Sequence, residues 1–251
     1  MTKITVDFTR NVRTMKPEVK MKLKKLLLPA ILFASGLLSA QDFYTVFARG
    51  KWDPAQWFEV KSMNFKQSRG MVQQDDHIMN ATPDLPDEEL FAKHSKDLYS
   101  CLVLDRKFSL PCVISSTMSF DHRMAPLIVI APDFGKNAAG QREQRDHFEI
   151  VLFNQGLNIW RHSFENGKPS YYLAGYLKTS FRPKTKYNLQ VKIFKNSYGK
   201  QLEVTCGGHC FAIRDNSLPD TVYAGIIGCE GRNRFYDFKV RVLGRKKKRK
   251  K

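Results

Sequence analysis

Residues 187–194, Tyr-Asn-Leu-Gln-Val-Lys-Ile-Phe, set Leu189, Val191 and Ile193 in strict alternation with Asn188, Gln190 and Lys192. Successive side chains of an extended strand point to opposite faces, so this segment has one apolar and one wet face, the pattern of a sheet packed on one side only. Wound as a helix, each residue would turn by about 100°, and Leu189 and Val191 would fall on nearly opposite sides of the cylinder.

The same period of two recurs outward from this segment in short, turn-bounded runs. The pattern predicts strands over 57–65, 99–104, 112–120, 127–131, 147–153, 156–162, 187–194, 201–205, 225–228 and 235–243. Between them Asn154-Gln155-Gly156, Asn166-Gly167, Asn196-Ser197-Tyr198-Gly199 and Gly207-Gly208 supply residues that tolerate positive φ. The one helix candidate is Asp87–Asp97, with Pro86 just ahead and acids in its first turn, inside a long excursion from Asp75 to Lys96. Many strands with hardly any helix predict an all-β fold, a two-sheet antiparallel jelly-roll sandwich running as one domain from about 42 to 243.

The chain has 251 residues and a formal charge of +18, with 42% hydrophobic and 26% charged side chains, a globular composition. Residues 1–40 hold 8 basic and 2 acidic side chains and residues 245–251 another 7 basic ones, which leaves only +5 between them. The charge therefore sits at the ends, and no nucleic-acid-binding face is expected on the fold. Met21–Ala40 places Lys22, Lys24 and Lys25 before an apolar run from Leu26 to Leu38 and closes on small residues, the plan of a secretory signal peptide cleaved before Gln41. A membrane anchor is the rival, but the run is shorter than the roughly 20 residues a bilayer requires. Residues 1–20 precede a second plausible start at Met21 and read as a misassigned extension. The mature protein is expected to be periplasmic or secreted, without an integral membrane anchor. Its end, Arg245–Lys251, has nothing apolar to bury and is expected to be disordered.

The order of the last runs, Tyr187–Phe194, a turn into Gln201–Thr205, the Gly-Ile-Ile-Gly segment Gly225–Gly228 and then Phe235–Val242, resembles the closing strands of concanavalin A-like lectins and glucanases. Looser likeness reaches back to Trp57 and extends to jelly-roll proteins of bacterial polysaccharide utilisation. The resemblance implies a concanavalin A-like sandwich and a polysaccharide or oligosaccharide ligand. It does not choose among lectins, hydrolases, lyases and non-catalytic modules, all of which use this superfold. The acidic strand of the glucanases has no match: the nearest stretch, Glu143 to Glu149, puts Glu143 and Asp146 on opposite faces. Tyr172–Tyr176 echoes an alginate-lyase strand but carries Leu173 where that strand has a basic residue.

What remains is a polar face. Alternation sends Phe148, Ile150 and Leu152 inward and leaves His147 and Glu149 outside, while Asn158, Trp160 and His162 share a face of the next strand. His147, Glu149 and His162 are the candidate catalytic residues, and Asn158, Trp160, Tyr171, Arg232 and Arg234 the candidate substrate contacts. Trp offers a flat apolar surface to a sugar ring, and Asn and Arg read hydroxyls and carboxylates. The competing reading makes Trp160 a core residue and the Arg pair ordinary turn charges. A lyase would take the proton beside a uronate carboxylate with a Tyr or His. The residues thus point to an exported protein that acts on or binds a polysaccharide, neutral or acidic. A lyase or hydrolase is one reading, and a non-catalytic glycan-binding or envelope interaction protein the other. No cofactor and no metal is implied. Five cysteines in an exported chain point to disulfides, and a three-residue loop Gly207-Gly208-His209 would set Cys206 opposite Cys210 at bridging distance. Zinc on Cys206, His209 and Cys210 is the rival, short of a fourth ligand. Cys101 and Cys112 would face each other if Arg106-Lys107 were a two-residue turn, and Cys229 is left over.

Overall fold

A computed structural model describes residues 42–65 and 69–244. The expected signal peptide and the basic tail fall on residues outside the described ones. Within them the chain forms a nine-stranded and a seven-stranded antiparallel sheet packed face to face, the predicted jelly-roll sandwich. In sheet I, His209–Arg214, Gly199–Cys206, Tyr187–Asn196 and Cys112–Phe120 lie side by side. The far edge of Cys112–Phe120 is shared by Asn233–Phe235 and Asp237–Val242, which pair in turn with Ile78–Asn80 and Phe43–Val46. In sheet II the order is Lys168–Lys178, Gly156–Glu165, His147–Phe153, Pro126–Ala131, Thr221–Cys229, Tyr99–Ser109 and Trp57–Glu59.

The alternation read in 187–194 is what builds the interior. Leu189, Val191 and Ile193 from sheet I and Phe148, Ile150, Leu152 and Ile159 from sheet II meet in one buried cluster. Each such side chain taken from water contributes roughly 1.5–3 kcal/mol, which holds the sheets together. The helix Asp87–His94 and the 3-10 turn Ser95–Asp97 occupy the predicted helical segment, with Leu90 as their buried anchor.

Sheet II departs from simple alternation, because its outer face is apolar as well. Tyr99, Cys101, Val103, Leu127, Val129, Val151 and Ile227 form a second cluster on that side. Pro126–Ala131 is buried at every position and therefore reads as a continuous apolar run. Loops cover one end of this face. Phe65 stacks on Tyr99 with centroids 5.0 Å apart, Phe58 meets Phe134 edge-on at 5.5 Å, and the Gln144 side chain donates to the Tyr99 hydroxyl at 3.0 Å.

Six short or exposed strands lie outside the expected set: Phe43–Val46, Met71–Gln73, Ile78–Asn80, Gly135–Lys136, Arg142–Glu143 and His209–Arg214. So does the long edge strand Lys168–Lys178, exposed over its first six residues and hence lacking the one-sided burial that produces alternation. The last expected strand is broken at Tyr236, where the Asp237 carboxylate turns to accept from the Thr117 backbone N–H at 2.7 Å and its hydroxyl at 2.8 Å.

The disulfide expectation is overturned: all five cysteines are free. The hairpin closes on two residues, Gly207 and Gly208, with φ of 56° and 84°, not on three. Cys206 therefore pairs with His209, and Cys210 with Thr205. One residue of register sends a side chain to the other face, so Cys206 enters the core while Cys210 points to solvent. The same register leaves His209 on the face of Cys206 and sends Cys210 to the other, so the rival zinc set is not brought together. Cys101 and Cys112 lie in different sheets, because Tyr99–Ser109 runs straight through Arg106-Lys107 and the chain reverses only at Leu110-Pro111.

Candidate functional site

The loop cover of sheet II closes over His147 through Met63, Phe65, Gln144 and Arg145 but leaves the neighbouring part of the strands His147–Phe153, Gly156–Glu165 and Lys168–Lys178 open. A cleft of about 580 Å³ opens there, and Glu149, Asn158, Trp160, His162 and Tyr171 line it together with Tyr99, Lys96 and Glu230. Register explains the meeting. His147 pairs directly with His162, Glu149 with Trp160, and His162 with Tyr171, so their side chains stand on one face of three adjacent strands.

At the floor, His147 Nε2 lies 3.4 Å from one Glu149 carboxylate oxygen and His162 Nε2 lies 3.3 Å from the other. The imidazoles are stacked, centroids 4.2 Å apart and planes 12° from parallel, and the Tyr171 ring continues the stack at 5.6 Å from His162. His147 is almost fully buried, and its Nδ1 meets the Arg145 carbonyl oxygen at 2.5 Å. A carbonyl only accepts, so that nitrogen carries the proton and Nε2 is directed at Glu149. Burial acts most strongly on Glu149 and opposes its ionisation. The hydrogen bonds and charges of His147 and His162 together outweigh burial and hold the carboxyl well below the usual carboxylate range.

Trp160 is half-buried and meets Tyr171 edge-on at 6.0 Å, forming an aromatic wall beside the trio. Its inner edge packs on the outer apolar cluster of sheet II, so it belongs to neither the inter-sheet core nor a wholly wet surface. Tyr171 stands 62% exposed, which leaves its ring face open to a ligand. Arg161 alternates away as the pattern required: it is buried, with its guanidinium 4.8 Å over the Phe148 ring.

Arg232 and Arg234 are not in this cleft. Arg232 donates to Asp87 at 2.7 Å and to the Leu85 carbonyl at 3.2 Å, and Arg234 grips Asp121 with both terminal nitrogens. Arg232 ties the helical excursion down, and both arginines line a different recess with His77 and Met79. Glu230, by contrast, reaches the cleft from a turn and has φ of +56°, a strained backbone for a residue with a Cβ. Burial first, and then the charge of Glu149, raise its carboxyl above the ordinary range. In the sequence it stands in the same charged turn as Arg232 and Arg234, yet of the three only Glu230 faces the cleft. Lys96 had no signal in the sequence, since it arrives from the turn Ser95–Asp97, and Tyr99 was legible only as the start of a strand.

Three ligand-capable groups, one ring nitrogen each of His147 and His162 and a Glu149 oxygen, lie within 4.8 Å of one another. Among the described residues no helix is long and apolar enough to cross a membrane.

The two-sheet arrangement with a cleft on the outer face of sheet II is a concanavalin A-like jelly roll. Solved structures of similar fold include β-agarase B from Zobellia galactanivorans, with 8% identity and a TM-score of 0.51 over 80% of this chain and 94% of that one. LamAcat from the same organism is similar at 12% identity and a TM-score of 0.50, covering 79% and 96% of the two chains. A Bacillus subtilis protein with a galectin-like fold is similar at 11% identity and a TM-score of 0.50, covering 80% and 96%. At these identities the likeness establishes the fold alone. No family model and no curated protein matches the sequence.

Proposed function

We propose that the cleft binds a polysaccharide or oligosaccharide chain and that its floor cleaves it. The observation that carries this reading is the junction of an aromatic wall, Trp160 and Tyr171, with a carboxylate held between two imidazoles. A pyranose laid against the ring faces buries its C–H surface there, and Asn158 lines the same cleft to read hydroxyls. His162, between His147 and Tyr171 in the stack, is the member of the trio that faces the ligand and exchanges a proton with it. The carboxylate held between two imidazoles and the neighbouring phenol favour proton abstraction beside a uronate carboxylate, with Lys96 as its counter-charge. Support also comes from β-agarase B, whose complex with agaro-octaose shows the same fold at a TM-score of 0.50 holding a glycan.

Export belongs to the same proposal, supported by the Lys-rich start and small-residue end of Met21–Ala40. A mature N-terminus at Gln41 in the secreted or periplasmic fraction is the expected result. Arg245–Lys251 would add attraction to an acidic polymer that fades as salt rises.

The test is product release from a panel of neutral and acidic polysaccharides. Unsaturated products absorbing in the ultraviolet identify a lyase, and new reducing ends without that absorbance a hydrolase. One observation favours non-catalytic binding: both Glu149 oxygens already face imidazoles. Retention on a glycan column with no product from any polymer would establish that second reading.

A further inference from the structure

We infer that His147, Glu149 and His162 form a binding site for a divalent transition-metal ion, open on one side to the cleft. The inference goes beyond the glycan reading and does not rest on it; with the ion bound His162 would be a ligand, and the proton exchange proposed for it above belongs to the metal-free protein.

The backbone supplies the first argument. His147 and Glu149 are two residues apart on one strand, and His162 is the direct partner of His147 on the next, so three donors project from one face of two hydrogen-bonded strands. Rigid sheet, not a loop, sets their spacing. Bond lengths to Zn²⁺ of about 2.0–2.2 Å in a tetrahedral site put neighbouring ligand atoms about 3.3 Å apart. Here His147 and His162 lie 3.4 and 3.3 Å from different oxygens of Glu149, and one donor atom from each of the three residues lies within 4.8 Å of the other two, close enough for a small side-chain adjustment to bring them around one ion.

The second argument is independent of those distances. A metal-bound imidazole characteristically gives its other N–H to a carbonyl or carboxylate, which sets the tautomer and aims the free nitrogen. His147 does this through Nδ1 and the Arg145 carbonyl. Two imidazoles and one carboxylate on a face with open coordination positions suit Zn²⁺, Fe²⁺ or Co²⁺ rather than Ca²⁺ or Mg²⁺, which prefer all-oxygen sets. Stacked rings cannot both aim a lone pair at one ion, so one must turn about χ2. His162, which borders the cleft and meets only the exposed Tyr171 on its other side, has the room that the pinned His147 lacks. The fourth position then faces the space lined by Trp160 and Tyr171, where a carboxylate or hydroxyl oxygen of a bound ligand enters.

The test uses the full mature chain, stripped with a chelator and titrated with Zn²⁺ in the absence of any glycan. One ion per chain is expected, with affinity lowered at least about 100-fold in His162→Ala and in Glu149→Gln, since even the loss of a supporting contact costs about 10- to 100-fold. Cys210→Ser, which removes the exposed thiol, should leave affinity unchanged. Co²⁺ bound to the unaltered protein should give weak visible bands without a thiolate-to-metal transition, a measurement that needs no variant to fold. No stoichiometric uptake, uptake retained in His162→Ala, or a thiolate band would each overturn the site. Because glycan is absent, a failure here leaves the polysaccharide reading standing, and a failure of that reading leaves the metal result intact.

Discussion

The two outer faces of the sandwich are built differently. Sheet I turns Asn188, Gln190, Lys192, Lys239 and Arg241 to solvent and needs no cover. Sheet II turns out Tyr99, Cys101, Leu127, Val129 and Val151, and the segments around Phe58–Phe65 and Phe134–Gln144 lie across that face. An apolar outer face has to be covered, and a cover that ends part-way leaves a walled cleft. The candidate site stands where it ends. The difference teaches that the candidate site belongs to the sheet whose outer face breaks the simple in-out rule.

The largest effect should come from removing a side chain beneath the cover. Tyr99→Ala empties the space under Phe65 and strips Gln144 of a hydrogen-bond partner, and should lower stability by about 3–5 kcal/mol in urea unfolding. Lys192→Ala on the open face of sheet I should change it by no more than about 0.5 kcal/mol. Equal losses at the two positions would erase the contrast between the faces.

At the margin of the cover, Trp160→Ala should weaken glycan binding or turnover at least about tenfold. Its stability cost should be only about 1–2 kcal/mol, because the ring is half-buried and packs on the outer cluster by one edge. Binding assays and thermal unfolding of the same variant separate these effects. A loss as large as that of Tyr99→Ala would move Trp160 into the core.

Cysteines sharpen the comparison, since the two outer faces carry the same residue type in opposite settings. Cys210 on sheet I is exposed, whereas Cys101 and Cys229 on sheet II are buried under the cover. Burial also pushes the Cys112 and Cys206 thiols up to about 12, far from the reactive thiolate. A thiol reagent should label Cys210 in the native protein and all five cysteines after unfolding, with no Cys206–Cys210 bridge in peptide maps. Rapid labelling of Cys101 would show that the cover opens.

The smallest effect concerns Glu230. Its folded carboxyl is raised above the unfolded value, so burying the charge costs stability above that value, and the cost disappears once pH falls low enough to protonate the group in both states. Glu230→Gln should therefore be slightly more stable than the parent protein at pH 7, by less than about 1 kcal/mol, and equal to it below pH 4. A variant less stable at pH 7 would mean that the carboxylate makes a favourable contact in the cleft.

Local chemistry, residue by residue, determined the strands whose two faces differ, their turns, and the side of each strand on which His147, Glu149, Asn158, Trp160 and His162 stand. Alternation is a property of neighbours along the chain, and it needs no knowledge of what lies opposite. Tertiary structure alone decided that His147 meets His162 and that Tyr171 extends their stack, because an edge strand exposed on both faces leaves no period to read. It also decided that Arg232 and Arg234 serve ion pairs with Asp87 and Asp121, partners more than a hundred residues away. Cys206 and Cys210 mark the boundary between the two kinds of knowledge. The Gly207-Gly208 pair announced a hairpin, but whether two or three residues close it is settled by strand pairing, and that single residue sends the two thiols to opposite faces.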